Sequence, residues 1–411
     1  VKHLVPGVRS RRMTFLLSLM AALTVVCVII YPDKAFQASL DGLTVWWKFV
    51  FPALLPFWIL SELMIGLGVA HGLGVLLEPL MRLAFRLPGT GALAAAMSFT
   101  AGIPAGAKVT ADLRKQNAVT RLEGERLPAL SHMCSPIFLL AVVGAGFLGS
   151  ARAGLEIAIF HYVSALTAGI VMRFLHKHAE DTDAAAPPPA AGTRGFARLL
   201  DSVAEAQAKD GRTFGKLLGD SVISSVQNLM MIGGYMMMFS VLVNILNLTY
   251  LAPLLTDGLQ RLLSLANLPG QLAQALVPGL LEIHLGSYAS SQADMPPQWG
   301  AALIGGVLGW SGLSVLFQVN SLIHSTDLRI GAYIQGRLLH GGLAFVLTWF
   351  LWNPVSRWIG EAAPSFFPLE GADPKLVPAV PAIFPFALLT AVIALMAAVS
   401  LALRPWFEHK P

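Results

Sequence analysis

The chain has 411 residues, 55% of them hydrophobic and only 12% charged, with a mean hydropathy of +0.66. A soluble domain of this length carries about twice that share of charge, so the composition excludes an ordinary soluble enzyme and points to a protein that crosses the bilayer several times. Cys27 and Cys134 both fall inside apolar runs, which gives no disulfide framework and no thiolate metal site. The net charge of +5 sits where basic cytoplasmic loops are expected, so it speaks for the membrane and not for nucleic acid.

Taken in chain order, the first apolar block is 13–31, behind Arg9, Arg11 and Arg12. No small-residue cleavage site follows it, so it reads as a retained helix. Residues 43–70 make a second long span, bent by Pro52 and Pro56. Segment 73–87 is weaker and carries Glu78, Arg82 and Arg86, and 91–107 is short and interrupted by Gly102, Pro104 and Gly106. These two segments read either as short crossing helices or as a re-entrant hairpin. A polar, basic stretch (108–126) precedes two further spans, 127–148 and 154–175. Residues 176–215 are hydrophilic. Within them 184–191 is linker chemistry, and 196–208 reads as an amphipathic helix at the membrane surface. The stretch is too short to build a core of its own.

The same plan then recurs. A long span (221–245) is followed by a weak segment with Asp257 and Arg261 (251–266) and a Gly/Pro-interrupted one (271–286). A polar loop (287–298) and two long spans (299–323 and 330–352) complete it. Segment 381–403 closes the chain. The tripeptides Leu87-Pro88-Gly89 and Leu268-Pro269-Gly270 register the two copies. The loop at 108–126 is rich in Lys and Arg, whereas none occurs from 262 through 328. The first loop therefore belongs inside and its counterpart outside, with Arg82 and Arg152 as exceptions. With five spans per copy, the copies are inverted and both termini are cytoplasmic. The expected architecture is an all-α polytopic membrane protein with about 12 hydrophobic segments. It has two inverted five-helix repeats containing broken or re-entrant helices, plus one flanking helix at each end. Its divisions are 1–42 (tail and first helix), 43–176, a cytoplasmic linker at 177–213, 214–353, and 354–411 (loop, last helix and tail).

Short interrupted segments at matching positions of inverted repeats mark a midplane substrate site, because a broken helix exposes N–H groups and a positive dipole end that suit an anion. Four stretches qualify. In the first, Ser98, Thr100, Gly102, Pro104 and Gly106 combine hydroxyls, close backbone approach and a helix breaker; the bland alternative is a small-residue packing face. The second carries Ser131 and Ser135, the latter before Pro136, either as ligand contacts or as a kink. The third holds Glu282, a carboxylate at membrane depth and thus a functional hypothesis by default; the alternative is a structural pair with His284. The fourth carries Ser311, Gly312, Ser314, Gln318 and Asn320 in the span equivalent to the second. Glu62 is read as a partner for an arginine, and Asp327 with Arg329 as a loop pair. The Gly144–Gly149 pattern mimics a dinucleotide fingerprint but has no strand before it and no acid at the right distance. Nothing points to a metal, a cofactor or an enzyme: there is no ligand-spaced cluster, P-loop, nucleophile elbow or metalloprotease motif.

The stretches SFTAGIPAGAK (98–108), TFGKLLGDSV (213–222), GLLEIHLG (279–286), GWSGLSVLFQV (309–319) and TDLRIGAYIQGRLLH (326–340) together resemble the sporulation integral membrane protein family of spore-forming bacteria. That family carries paired nucleoside-recognition, or Gate, domains, and the similarity runs from about 44 to 352. The resemblance implies a transporter or facilitator that moves dipicolinic acid across the outer forespore membrane during sporulation. Its implied partners are the small molecule and the lipid bilayer, together with a second copy of the chain or other sporulation membrane proteins. Transport of nucleosides or another small metabolite, and a non-transporting scaffold of a sporulation complex, are the alternatives.

Overall fold

A computed structural model describes residues 11–175 and 195–359. The linker motif at 184–191 and the closing segment at 381–403 lie outside the described residues. Among the described residues every regular element is helical. After α1 (Arg11–Ile30) come α2 (Pro32–Val45), a π-helical turn (Trp46–Val50) and α3 (Phe51–Gly66), which together form one rod of 35 residues. Pro32 starts it at the first helical turn, where a missing N–H costs nothing. Next are α4 (Val69–Leu80), α5 (Gly91–Ala101), α6 (Ala105–Lys115), α7 (Arg121–Ser131), the π-helix Phe138–Phe147 and α8 (Ala151–Leu175). Then follow α9 (Gly195–Asp210), α10 (Phe214–Leu248), α11 (Leu251–Leu265), α12 (Gln271–Leu281), α13 (Ile283–Gln292), α14 (Pro297–Trp310), α15 (Gly312–Ile323) and α16 (Ile330–Ile359).

Five stretches are long and apolar enough to cross a membrane: Pro32–Gly66, Ala151–Leu175, Phe214–Leu248, Pro297–Ile323 and Ile330–Ile359. Together they make the chain a polytopic, all-helical membrane protein. Four shorter apolar helices accompany them: Ser18–Ile30, Gly91–Ala101, Phe138–Phe147 and Gln271–Leu281. At 1.5 Å per residue an 11-residue arm is about 16 Å long, half of a hydrocarbon core of about 30 Å. α5 and α12 therefore reach roughly mid-depth. Each then turns back. Gly286 of α13 faces Gly279 of α12 with no room for a Cβ between them, and Gly106 of α6 lies against the carbonyls of Ala94 and Ser131. Both interrupted segments are thus helical hairpins with their bends at 102–104 and at Glu282.

Two spans that read as continuous in the sequence are broken as well. Residues 127–148 are divided at 132–135, and 299–323 at Ser311 and Gly312, both of which adopt positive φ (75° and 80°). The apolar core runs between these breaks, where Phe138, Leu139 and Val142 pack with Ile283, Ile304, Val307, Leu308 and Val315. The rod Pro32–Gly66 lies along α10: the Trp46 ring sits over Gly233 and its indole N–H donates to the Leu229 carbonyl at 2.9 Å. The linker helix α9 is amphipathic as expected. Leu199, Val203 and Ala206 rest on Gly68 and Gly72 around α4, and Arg198 pairs with Glu78 at 3.1 Å. Part of its apolar stripe is therefore taken up by protein, while Leu200 stays exposed.

Asp327 does not pair with Arg329. It accepts two hydrogen bonds from Arg114, at 2.8 and 2.9 Å, so the turn between α15 and α16 is clamped to the end of α6. These hydrogen bonds, helped by the guanidinium charge and opposed by partial burial, hold the Asp327 carboxyl below its ordinary value of 3.8. A carboxyl lowered on folding stabilises above its unfolded value and stops doing so as the pH falls through the folded value. The pair is part-exposed and is worth about 1 kcal/mol or less. Wild type should therefore exceed Asp327→Asn in thermal stability by a constant small margin between pH 8 and pH 5. That margin should begin to shrink as the pH falls below about 4 and vanish only below the folded value, as read by thermal unfolding in detergent.

Candidate functional site

An interrupted helix inside a membrane protein leaves peptide groups that water cannot reach, and each needs a protein partner. At the end of α5 the carbonyls of Thr100 and Ala101 receive the Ser61 hydroxyl (2.8 Å) and the Trp58 indole N–H (2.7 Å), both from α3. At the end of α12 the Trp310 indole N–H donates to the Leu280 carbonyl at 3.0 Å. Glu282 caps α13 by taking the Leu285 N–H at 2.7 Å, while its other oxygen lies 2.7 Å from His284 Nδ1. The 132–135 break is tied at every step. Ser98 Oγ exchanges hydrogen bonds with the Met133 backbone, the Cys134 N–H goes to His161 Nε2 at 3.1 Å, and the Tyr162 hydroxyl donates to the Cys134 carbonyl at 2.8 Å. Ser135 Oγ takes the Phe138 N–H and restarts the helix.

One side chain closes two breaks at once. Arg337 of α16 is fully buried and donates to the carbonyls of Ala129 (2.5 Å), His132 (2.6 Å) and Gly309 (3.4 Å). Its charge sits at the C-terminal ends of α7 and α14, where helix dipoles favour a cation.

Three of the four breaks line one cavity of about 600 Å³, a size typical of small-molecule sites, and the fourth lies against the bend at Glu282. Gly102 abuts Ser135, and Gly312 abuts the Leu281 carbonyl and the Glu282 backbone. Of the residues singled out by sequence, Thr100, Gly102, Pro104, Ser135, Glu282 and Gln318 line the cavity. Ser98, Gly106, Ser131, Ser311, Gly312, Ser314 and Asn320 are not among the lining residues. Ser98 ties the 132–135 break, Gly106 and Gly312 let backbones approach, and Ser311 bonds its own helix at the Leu308 carbonyl. The buried hydroxyls of Ser131 and Ser314 have no hydrogen-bond partner. The Thr100 hydroxyl is spent on the Ala96 carbonyl, so this residue offers the cavity its surface and not a free donor.

The lining also includes residues that the motif reading passed over, namely Trp58, Ser61, Glu62, Asp112, Ser224, Asn228 and Tyr235, and it includes Lys108 and His284. The Asn228–Tyr235 stretch comes from α10, whose polar positions are isolated within an apolar run; a helical count from Ser224 (224, 228, 231, 235) is the signal that could have found them. Among the described residues Glu62 pairs with no arginine; it accepts from the Ser224 hydroxyl at 3.4 Å. Lys108 stands on the first turn of α6. Three carboxylates (Glu62, Asp112 and Glu282) thus face the same space as one ammonium group. The described residues contain no group of three metal-ligating side chains.

The chain is similar to the sporulation integral membrane protein YlbJ of Bacillus subtilis (strain 168), with 39% identity over 350 residues that cover 84% of this chain and 85% of that protein. It belongs to that family. No family model matches the chain, and no solved structure matches it.

If Arg337 is the clamp on both interrupted helices, Arg337→Met strands several buried carbonyls at about 1–3 kcal/mol each. The variant should lose its cooperative melt or fall well below wild type in thermal midpoint. Arg337→Lys, which carries the charge but not the forked donor set, should lie between the two. A wild-type melt for Arg337→Met would remove Arg337 from this role.

Proposed function

We propose that the chain is a secondary transporter that carries dipicolinate across the outer forespore membrane during sporulation, by alternating access between two antiparallel halves, without cofactor or chemical step. The observation that carries this reading is the single cavity lined by both hairpin bends and by a broken span from each half. Broken helices meeting near mid-depth are the usual makings of a transported-substrate site. Membership of a sporulation membrane family supplies the setting.

Element lengths support the repeat. Rods of 35 and 35 residues are followed by helices of 12 and 15, hairpin arms of 11 and 11 and then 11 and 10, and closing helices of 25 and 30. Packing is reciprocal too: α7 rests on α16 and α14 on α8, while α8 and α16 pack on each other. The Arg114–Asp327 clamp puts turn 324–329 beside the basic loop. The short connection at 293–296, between α13 and α14, lies at the far end of the broken stretch Pro297–Ile323 from that turn. That is the opposition that inverted copies require.

A second reading has its own observation. Three carboxylates against one lysine suit a neutral or cationic cargo, such as a nucleoside, better than a bare dianion. Proteoliposomes decide between them. Labelled dipicolinate should enter and be competed by unlabelled dipicolinate but not by nucleosides; the reverse order of competition selects the nucleoside. Glu282→Gln, which keeps an acceptor for the Leu285 N–H but loses the charge, should lower uptake at least tenfold while the protein elutes as a folded species. Uptake at the wild-type rate would take the Glu282 charge out of the mechanism. In spores, loss of the gene should leave dipicolinate synthesised in the mother cell and absent from the core.

A further inference from the structure

Behind the cavity wall lies a cluster that the reading above does not use. His161 is the eleventh residue of α8 and His340 the eleventh of α16, and their rings face each other with centroids 4.6 Å apart. Both are fully buried. His161 Nε2 accepts the Cys134 N–H, so in the neutral ring its proton sits on Nδ1. His340 Nε2 lies 3.0 Å from the His161 carbonyl, which makes it the protonated nitrogen and leaves Nδ1 as the acceptor.

Among the described residues neither Nδ1 has a hydrogen-bond partner. The same holds for both nitrogens of His132 and for the hydroxyls of Tyr333, Ser131 and Ser314. The unsatisfied nitrogens of His161 and His340, with those of His132 against the Tyr333 ring on the same helix α16, call for a ligand as small as water or a proton. The titratable and charged groups facing the two rings are His132 and Cys134 at the α7 break, Tyr162 on α8, and Tyr333 and Arg337 on α16. The Phe138–Phe147 helix and α14 contribute none. None of these groups makes an ion pair with a carboxylate in the described residues.

We propose that the His161–His340 pair binds the proton that accompanies an anionic cargo, and that protonation of His161 is the event that opens the cavity wall at Cys134–Ser135. The inference rests on the transport reading above. A proton from water adds to the Nε2 lone pair, and the resulting imidazolium can no longer accept the Cys134 N–H. That amide is then unpaired at a residue that lines the cavity, where an incoming carboxylate can take it. The imidazolium shares its buried surroundings with the Arg337 guanidinium, so it is stable only when an anion sits on the cavity side. Proton and anion therefore bind together, each raising the affinity for the other by the same factor. This also answers the excess of acid in the cavity: the cargo arrives with its charge partly neutralised.

The test uses His161→Gln, whose side-chain oxygen can take the Cys134 N–H but cannot be protonated near neutral pH. In proteoliposomes, an inward pH gradient of about one unit should drive wild type to accumulate dipicolinate up to about tenfold per coupled proton. His161→Gln, whose wall no proton can open, should lose gradient-driven accumulation and at least tenfold in counterflow exchange while eluting as a folded species with a wild-type thermal midpoint. Gradient-driven accumulation in His161→Gln equal to wild type overturns the proposal, and so does wild-type counterflow that ignores the gradient.

A second measurement needs no transport. Amide hydrogen exchange at Cys134, corrected for intrinsic rate by comparing the two proteins at each pH, should rise on acidification in wild type and stay flat in His161→Gln. The same response in both overturns the proposal. If wild type moves no dipicolinate at all, the transport reading falls, and the exchange result decides for or against protonation at His161.

Discussion

Everything in this molecule follows from one constraint: a helix that stops inside the bilayer must hand its freed peptide groups to other parts of the protein. Four helices stop there, and the partners come mostly from elsewhere in the chain. Trp58 and Ser61 serve a break some forty residues away, and Arg337 serves one more than two hundred residues away. The breaks can exist only in the assembled fold. The same requirement brings them together, because donors that close one break line the space beside another. The cavity is the residue of that arrangement, and its walls mix large apolar side chains such as Phe57, Trp58 and Phe138 with the polar groups and bends that the breaks bring in.

Charge is distributed across this site with a clear division of labour. Permanent positive charge is buried in the scaffold as Arg337, held by carbonyls and helix ends without a carboxylate contact. Negative charge faces the cavity as Glu62, Asp112 and Glu282. An isolated buried cation is costly, so three carbonyl contacts and two helix C-termini offset a desolvation that a single ion pair would ordinarily offset. The result is a fixed field behind the Cys134–Ser135 wall. Any anion in the cavity lowers the energy of that field, and any proton added behind the wall raises it.

Much of this was legible in the sequence, for reasons that differ by residue. Gly102-Ile103-Pro104 announces its break because glycine frees the backbone for a left-handed turn while proline fixes φ and removes a donor. Glu282 announces itself because a carboxylate in an apolar run needs a purpose. The Arg114–Asp327 clamp was not legible, since Arg329 is the nearer cation and sequence spacing favours the local pair. Nor were Trp58 and Ser61, whose role lies in carbonyls of a different element, or the polar positions of α10, each a single side chain in a long apolar helix. His161 and His340 occupy matching places, yet nothing local says so. Their equivalence emerges only when both helices are given their starting points at Ala151 and Ile330.

The two hairpins use one device with opposite electrical outcomes. In the second, the turn into α13 is occupied by the Glu282 carboxylate, which satisfies the Leu285 N–H and places a fixed negative charge at the helix start. In the first, α6 begins after Pro104 with no side-chain cap, and Lys108 stands one turn in, making no ion pair among the described residues. A helix start favours negative charge. One copy therefore supplies that charge from its own chain, and the other leaves the demand unmet at the edge of the cavity. On the transport reading, an anionic cargo belongs at the Pro104–Lys108 end, with its proton taken up on the Cys134 side. The asymmetry between two similar hairpins, more than their likeness, then gives the site its direction.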